Sequence, residues 1–276
     1  MRKCCLSIPC GPTSRLRTCS RRSTLSPTGR DVLADADNAQ AMPVGRIPRR
    51  NADLPVRLAS AVVLLAILGA ALWFNDPYKM WLIVVVALIC FVEFVLLVVK
   101  ATDNMPYRGA GILAGAVYIG LAAITMIDLQ LQAFGAAIGA VVFTDTFAYF
   151  FGRAIGGPKI APSISPSKTW AGLFGGMIGA AIFMIGLGIV HFSVQGYTIG
   201  DMGAELQVEF GTIIAIGMAL AVIAQMGDFF QSWLKRKAGV KDSSKLIPGH
   251  GGVFDRIDGL LPVSIVVGAL ANIFAG

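Results

Sequence analysis

Long apolar runs separated by short polar stretches fill the chain from about residue 56 to its end. A helix needs roughly 20 apolar residues to cross about 30 Å of hydrocarbon, and the runs have this length. Hydrophobic windows predict about seven transmembrane helices, over residues 56–74, 80–99, 109–127, 131–151, 171–192, 211–230 and 259–275. Because only the polar break "DLQLQ" separates the third and fourth, we expect these two to form a tight helical hairpin.

Composition supports the same class of protein. Hydrophobic residues make up 55% of the 276 residues and charged residues only 14%, whereas a soluble domain has about 25% charged residues. We therefore predict an all-α, polytopic integral membrane protein. The cysteines match neither a disulfide framework nor a zinc site, because four of the five lie in the first 19 residues.

The N-terminal segment, residues 1–55, differs from the rest because it is rich in Arg, Ser and Pro and has no long apolar run. Such a composition favours a disordered basic tail. An organellar transit peptide and a start codon placed too early, with Met42 as the later start, are the alternatives. We expect residues 56–276 to form the transmembrane domain, with a polar site that faces the cytoplasm.

Positive charge lies mainly on one side of the predicted membrane topology. Alternation of the spans assigns three loops to the side of the N-terminus, at residues 100–108, 152–170 and 231–258. These loops carry the basic residues Lys100, Arg108, Arg153, Lys159, Lys168, Lys235, Arg236, Lys237, Lys241, Lys245 and Arg256. The opposite loops carry Lys79 alone, beside several acids. Since Lys and Arg resist translocation, the basic side is predicted to be cytoplasmic, and the net charge of +7 does not indicate nucleic-acid binding.

Three acids fall within or at the ends of predicted spans: Glu93, Asp145 and Asp228. A carboxylate in such a position is costly unless it faces protein, water or a cation, so each is a candidate site residue. Glu93 stands alone in "CFVEFVLL", which favours a hydrogen bond in helix packing. Asp145 and Asp228 lie near the cytoplasmic ends of their spans, where we expect them to meet the basic loops.

The first large cytoplasmic loop ends in "SISPSKTWAGLFGG", residues 163–176. Hydroxyl side chains and Lys168 lead into a helix whose N-terminus offers free N–H groups and the positive end of its dipole. This pattern predicts a phosphate-binding segment formed with Ser165, Ser167 and Thr169. The alternative is a helix N-cap followed by a packing face of small residues, formed by Gly175, Gly176 and Gly179.

The second loop, "SWLKRKAGVKDSSKLIPGHGGVFDRID" at residues 232–258, combines lysines with aspartates and a Gly-Gly pair. An electrostatic anchor to anionic lipid explains the lysines but not the aspartates. Hard oxygen ligands beside cations are typical of Mg²⁺ sites on phosphate substrates, and Gly251 and Gly252 allow close backbone approach. The residues alone thus predict phosphoryl or nucleotidyl transfer to a lipid at the membrane interface.

The same loop resembles the signature of the bacterial phosphatidate cytidylyltransferases, or CDP-diacylglycerol synthases. The matching positions are Ser232, Lys235, Arg236, Lys241, Asp242, His250, Gly251, Gly252, Asp255, Arg256 and Asp258. The segments "DTFAYFFGR" and "SPSKTWAGLFGG" also resemble motifs of this family, and the resemblance covers about residues 56–276. Gln231, Ser167 and Ala171 depart from it, because the family often has Glu, Lys and Glu at these positions.

The resemblance implies the reaction CTP + phosphatidate → CDP-diacylglycerol + pyrophosphate, for phospholipid biosynthesis in the bacterial inner membrane, by a homodimer. It implies Mg²⁺ bound by Asp228 and Asp255, with Asp258 and Asp145 as supporting ligands or as ligands of a second cation. The catalytic residues would be Asp228, Asp255, Lys168 and Lys241. Substrate binding would fall to Ser165, Thr169, Ser232, Lys235, Arg236, His250, Gly251, Gly252 and Arg256.

Three other functions compete with this interpretation. A related CTP-using lipid enzyme, such as a polyprenol kinase, would differ in its lipid acceptor. A secondary transporter would show an inverted repeat and broken helices at mid-membrane, and neither is visible in the sequence. A structural scaffold would leave the clustered aspartates without a role. Asp258 has its own alternative, since an acid at the start of the last helix is favoured by the helix dipole.

Overall fold

The computed structural model describes residues 54–74, 76–194, 204–244, 246–247 and 251–275. Its helices are α1 (Leu54–Phe74), α2 (Tyr78–Ala101), α3 (Met105–Asp128), α4 (Leu131–Ala154), α5 (Trp170–Val194), α6 (Ala204–Lys237), α7 (Phe254–Ile257) and α8 (Leu260–Ala275). Two short strands, β1 (Lys159–Ala161) and β2 (Ser165–Thr169), lie between α4 and α5. His250 and nearly all of the predicted tail, residues 1–55, lie outside the described residues.

Each predicted span coincides with one of these helices. Five of the described helices, α2 to α6, are long and apolar enough to cross a membrane, and shorter apolar helices occupy Val62–Phe74 and Leu260–Ile273. Many large apolar side chains on these helices are exposed rather than packed inside the protein. Hydrocarbon is the solvent that suits such a surface, so the chain is a mainly helical, multi-pass membrane protein.

Helices α4, α5 and α6 form the most extensive packing in the described part of the chain. Glycines on α5 allow this approach: a Cβ at Gly176 would lie 3.1 Å from the Thr144 carbonyl oxygen, and one at Gly179 would lie 2.8 Å from that of Phe143. Small residues allow membrane helices to pack backbone against backbone. The packing face predicted for these glycines is therefore present, and the phosphate-binding role predicted for Ser165, Ser167, Lys168 and Thr169 stays a prediction.

The predicted tight hairpin of the third and fourth helices is wrong. Only Leu129 and Gln130 separate α3 from α4, but the two helices make almost no contact, and α8 packs against both. The Lys79 ammonium donates to the Leu129 carbonyl oxygen at 3.0 Å and is buried there. It thereby satisfies a carbonyl at the end of α3. A short connection restrains the helix ends without deciding which faces pack.

The two strands are a feature that the all-α prediction missed. β1 and β2 are antiparallel, with Lys159 opposite Thr169 and Ala161 opposite Ser165. Helix α5 begins directly after β2, and the Thr169 hydroxyl accepts a hydrogen bond from the Gly172 N–H at 3.1 Å. This is the usual bond of a threonine N-cap. Pairing with β1 therefore orients β2, and Thr169 at the end of β2 caps the start of α5.

Candidate active site

A polar cavity of about 420 Å³ opens where the C-terminal parts of α4 and α6 meet β2 and the start of α5. We call it the acidic cavity. Its lining includes Asp145, Tyr149, Arg153, Ser167, Lys168, Thr169, Gln225 and Asp228. The structure thus brings the predicted residues Asp145, Lys168, Thr169 and Asp228 to one opening, together with a second cation, Arg153. A cavity with both signs of charge suits phosphate groups and their counterions.

Lys168 joins β2 to α6 at the edge of this cavity. Its ammonium forms an ion pair with Asp228, donates to the Gln225 side-chain oxygen at 2.7 Å and lies 5.5 Å from the centre of the Phe229 ring. The Lys168 and Asp228 side chains keep 20% and 29% of their surface exposed. Both groups therefore remain accessible to a ligand in the cavity.

Asp258, directly before α8, lies against Asp228. Burial, as the largest effect, and the charges of Asp228 and Asp145 together raise the pKa of Asp258 to about 8, although the hydrogen bond from the Gly259 N–H acts in the opposite direction. Two neighbouring carboxylates remain ionised together only if a cation or strong donors compensate their charge. Asp145, Asp228 and Asp258 therefore form a cluster of carboxyl groups in which a bound cation would favour ionisation of Asp258.

The donor chemistry of these three acids fits Mg²⁺, which prefers hard oxygen ligands. Within the described residues, no group of three or more His, Cys, Asp or Glu side chains is arranged so that the protein alone could hold a metal ion. Mg²⁺ commonly binds through one or two carboxylates and completes its shell with water and substrate phosphates. Asp228 and Asp258, next to an open cavity, could provide such a pair of carboxylates and leave room for water and phosphate ligands.

Asp255, in α7, belongs to a second group of polar residues. This group meets α6 at Gln231 and Lys235, about one to two turns after Asp228. Its Oδ1 accepts hydrogen bonds from the Gln231 amide at 2.8 Å and the Lys235 ammonium at 3.0 Å. Its Oδ2 accepts from the backbone N–H groups of Ser243 at 2.9 Å and Gly252 at 3.1 Å. Burial alone would raise the pKa of Asp255, but these donors outweigh it and hold the pKa below its usual range.

This group, which we call the loop network, consists of Glu93, Gln231, Lys235, Ser243, Ser244, Gly252 and Asp255. A carboxylate offers about four acceptor positions, and protein donors use four at Asp255. Direct contact of Asp255 with a metal would therefore require Lys235 or Gln231 to release Oδ1. The assignment of Asp255 as a metal ligand stays a prediction.

Glu93 is the member of the loop network that sequence reasoning undervalued. Its carboxylate accepts four hydrogen bonds, two from serine hydroxyls and two from backbone N–H groups. All four donors lie between residues 243 and 254, far along the chain. The only signal in the sequence was the cost of a carboxylate in an apolar helix.

Helix α6 connects the acidic cavity to the loop network. Asp228, Gln231 and Lys235 lie three and seven residues apart and so share one face of the helix. Asp258 meets Asp228, and Asp255 meets Gln231 and Lys235. The chain after residue 254 therefore runs antiparallel to α6, with its two aspartates at successive levels.

The conformation of Gly251 shows why a glycine is favoured at the first position of the Gly-Gly pair. Gly251 has a φ of +88°, and its backbone exchanges two hydrogen bonds with Ile247, at 2.8 and 3.1 Å. A Cβ at this position would lie 3.0 Å from the Asp255 Oδ2 atom. Glycine adopts this left-handed conformation without steric strain, so it closes the loop directly beside Asp255.

The remaining predicted residues lie outside the two groups. The Arg236 Nε donates to the Ile164 carbonyl oxygen at 3.2 Å and so ties the β-hairpin to α6. Ser165 is buried in β2, Ser232 is half-buried on α6, and Lys241 is exposed in the loop. Arg256 lies at a mainly apolar cavity between α1, α2, α3, α4 and α8. Their predicted contacts with substrate stay predictions.

The fold and these groups define a class: a polytopic membrane protein with a site suited to phosphate-containing ligands at one end of its helices. Residues 110–274 match the model of the Cytidylyltransferase family, and the chain belongs to this family.

Relatives agree with this assignment. The phosphatidate cytidylyltransferase of Brucella abortus (strain 2308) is 39% identical over 168 residues, which cover 59% of this chain and 57% of the relative. That of Rickettsia typhi (strain Wilmington) is 31% identical over 216 residues, 76% of this chain and 88% of the relative. That of Thermotoga maritima is 40% identical over 142 residues, 49% of this chain and 50% of the relative. The chain thus covers little more than half the length of the Brucella relatives.

Proposed function

We propose that the protein is a phosphatidate cytidylyltransferase. A phosphate oxygen of phosphatidate attacks the α-phosphorus of CTP, the bond from that phosphorus to the β-phosphate oxygen breaks, and CDP-diacylglycerol and pyrophosphate form. The observation that carries the proposal is the acidic cavity, where carboxylates, Lys168 and Arg153 meet at the ends of membrane helices in a chain of the Cytidylyltransferase family.

Charge compensation and positioning are the main tasks of such a site, because the nucleophile and the electrophile are both anionic. Lys168 and Arg153 both line the cavity and would neutralise phosphate oxygens. The Gln225 and Asp228 side chains hold the Lys168 ammonium in place. Phosphatidate is already ionised at neutral pH, so the step needs no general base.

The proposed activity includes Mg²⁺. When bound, Mg²⁺ would neutralise charge on the phosphates and on the pyrophosphate leaving group. Asp228 and Asp258 would hold it, Asp145 would support them, and Asp255 would join if Lys235 released its Oδ1 atom. A second cation would use the same carboxylates.

We further propose seven transmembrane spans, a bacterial inner-membrane location and a cytoplasmic site. Arg153, Lys168, Lys235 and Arg236 lie with the acidic cavity at one end of the helices, and Lys79 lies at the other. This distribution is the one expected when basic loops stay in the cytoplasm. A site at this boundary receives CTP from water and phosphatidate from the bilayer. The homodimer rests on the family resemblance alone.

The test is incubation of the purified full chain with radiolabelled CTP, phosphatidate and Mg²⁺ in detergent micelles. We expect label in the lipid fraction and an equal amount of released pyrophosphate, both abolished by EDTA and restored by excess Mg²⁺. Asp228→Asn tests the site. Asp103→Asn is the matched control, because this carboxylate is fully exposed and, among the described residues, forms its ion pair with Arg108 outside the acidic cavity.

Two results would count against the proposal. Labelled CTP that stays in the aqueous phase, while a known cytidylyltransferase is active in the same micelles, would reject the activity. Phosphate transfer from CTP to a polyprenol, without reaction of phosphatidate, would replace it with a kinase function.

A further inference from the structure

Glu93 is a carboxylate buried within the apolar helix α2, with 4% of the residue exposed. The Ser243 and Ser244 hydroxyls donate to it at 2.8 and 2.6 Å, and the backbone N–H groups of Val253 and Phe254 donate at 3.1 and 2.9 Å. Ser243 is 150 residues further along the chain. Burial of a carboxylate is unfavourable unless donors compensate it, so this contact defines a specific arrangement of α2 and the loop.

The donors are distributed symmetrically over the two oxygens. Oε1 accepts from the Ser244 hydroxyl and the Val253 N–H, and Oε2 accepts from the Ser243 hydroxyl and the Phe254 N–H. A serine hydroxyl can rotate and accept instead, but a backbone N–H only donates. A glutamine at position 93 would therefore place its NH₂ group against a backbone N–H in either orientation of the amide.

The segment that Glu93 binds also holds Asp255. We call residues 241–244 and 251–255 the signature loop. The Ser243 hydroxyl donates to Glu93 while the Ser243 N–H donates to Asp255, and the Gly252 N–H donates to the same Asp255 oxygen. A Cβ at Gly252 would overlap both the Ser243 hydroxyl and Glu93 Oε2. The backbone around Asp255 is thus fixed from the α2 side by Glu93.

An apolar contact adjoins this polar one. The rings of Phe94 and Phe254 meet edge to face with their centres 5.9 Å apart, and Phe254 is 1% exposed. Glu93 and Phe94 of α2 therefore both contact Phe254 of the signature loop, Glu93 through a hydrogen bond and Phe94 through packing. Glu93 does not line the acidic cavity.

We propose that Glu93 is a positioning residue, which fixes the signature loop onto α2 and, through the Ser243 and Gly252 N–H groups, sets the place of Asp255. It acts through the loop and does not touch substrate. The effect of Glu93 on turnover rests on the proposed function, whereas its effect on the loop does not.

Hydrogen–deuterium exchange of the purified full chain in detergent tests the proposal, with initial rates measured on the same samples. In Glu93→Gln we expect exchange in the signature loop to rise at least about tenfold while α4 and α5 stay unchanged. We expect kcat to fall by about 10²-fold, as a displacement near 1 Å can cause, with a smaller change in KM for CTP. Glu93→Asp keeps the charge but has a shorter side chain, so its loop exchange and its kcat should lie between those of wild type and those of Glu93→Gln.

Cys90→Ala is the matched control, because Cys90 is fully buried on α2 about one turn before Glu93. It should lower the thermal unfolding temperature without raising exchange in the signature loop. Unchanged loop exchange in Glu93→Gln would overturn the proposal, whatever the activity. Raised exchange with wild-type kcat would overturn the positioning role. If the wild-type chain transfers no cytidylyl group, the proposed function fails, and the exchange data still decide whether Glu93 holds the loop.

Discussion

Asp228 and Asp255 are both aspartates paired with a lysine, but their surroundings differ. Asp228 faces the acidic cavity and keeps 29% of its side chain exposed, whereas Asp255 keeps 8% and receives four protein hydrogen bonds. In the acidic cavity, the charges remain available to a ligand. In the loop network, the same residue types hold backbone in place. Residue type and motif spacing alone therefore do not separate a carboxylate that faces a cavity from one whose acceptor positions are occupied by protein donors.

The largest effect on activity should come from Asp228→Asn. The change removes a carboxylate that faces the cavity and leaves Lys168 without its ion pair, so we expect turnover to fall by about 10²- to 10³-fold. The amide of Asp228→Asn keeps the size of the side chain and can still hydrogen-bond to Asp258, so the unfolding temperature should stay within a few degrees of wild type. Initial rates and thermal unfolding in detergent measure the two effects. Turnover close to that of Asp103→Asn would remove Asp228 from the site.

Asp255→Asn should reduce activity by about 10²-fold and should also loosen the signature loop. The amide would place its NH₂ group either against the Ser243 and Gly252 N–H groups or against the Lys235 and Gln231 donors. An unpaired buried donor costs about 1–3 kcal/mol, so exchange in the signature loop should rise. This is the difference from Asp228→Asn, where loop exchange should not change.

The same variant also tests the metal assignment that the sequence suggested for Asp255. The family resemblance implies that Asp255→Asn abolishes activity with the fold intact. If activity is lost while loop exchange stays at the wild-type level, Asp255 acts on the ligand directly, and the contrast between the two aspartates fails. Near-wild-type turnover would exclude both roles.

The lysines allow a matched comparison of the two regions. Lys168→Met removes a cation that lines the cavity, and we expect it to raise KM for CTP about tenfold, equivalent to about 1.4 kcal/mol. Lys235→Met removes one of four donors to Asp255, so it should lower kcat several-fold with little change in KM for CTP. Steady-state kinetics at saturating phosphatidate separates the two patterns. Identical changes in both variants would mean that both lysines bind CTP.

The helices were predictable because membrane spans depend on the length and hydrophobicity of local sequence. The acids of the cavity were also found locally, since Asp145 and Asp228 stand out in apolar surroundings. The β-hairpin was missed because "KIAPSISPSKT" has prolines and no clear alternation of apolar and polar residues. The packing of α8 against both α3 and α4 depends on contacts between distant segments, on which a two-residue connection carries no information.

The loop network was harder to predict for the same reason. Glu93 meets donors about 150 residues away, and nothing near Glu93 in the sequence identifies them. In the sequence, Gln231 was noted only because the family often has Glu at this position. In the structure it is fully buried, and its amide donates to Asp255. Its role depends on an amide donor at that position of α6, which only the folded arrangement of α6 and the loop reveals.

The smallest effect on activity should come from Arg236→Ala. This variant tests whether Arg236, a residue of the family signature, supports the β-hairpin or contacts the substrate. The Arg236 Nε bond to the Ile164 carbonyl oxygen is exposed, and such a bond contributes about 0.5–1.5 kcal/mol. We expect less than a threefold change in kcat and in KM for CTP, with faster exchange in the β1–β2 hairpin. The resemblance instead implies that Arg236 contacts substrate phosphate, and a tenfold or larger rise in KM for CTP without faster hairpin exchange would support that role. Because Lys168 follows the hairpin turn at Ile164 by four residues, an intermediate loss with faster exchange would show that the hairpin transmits the change to the cavity.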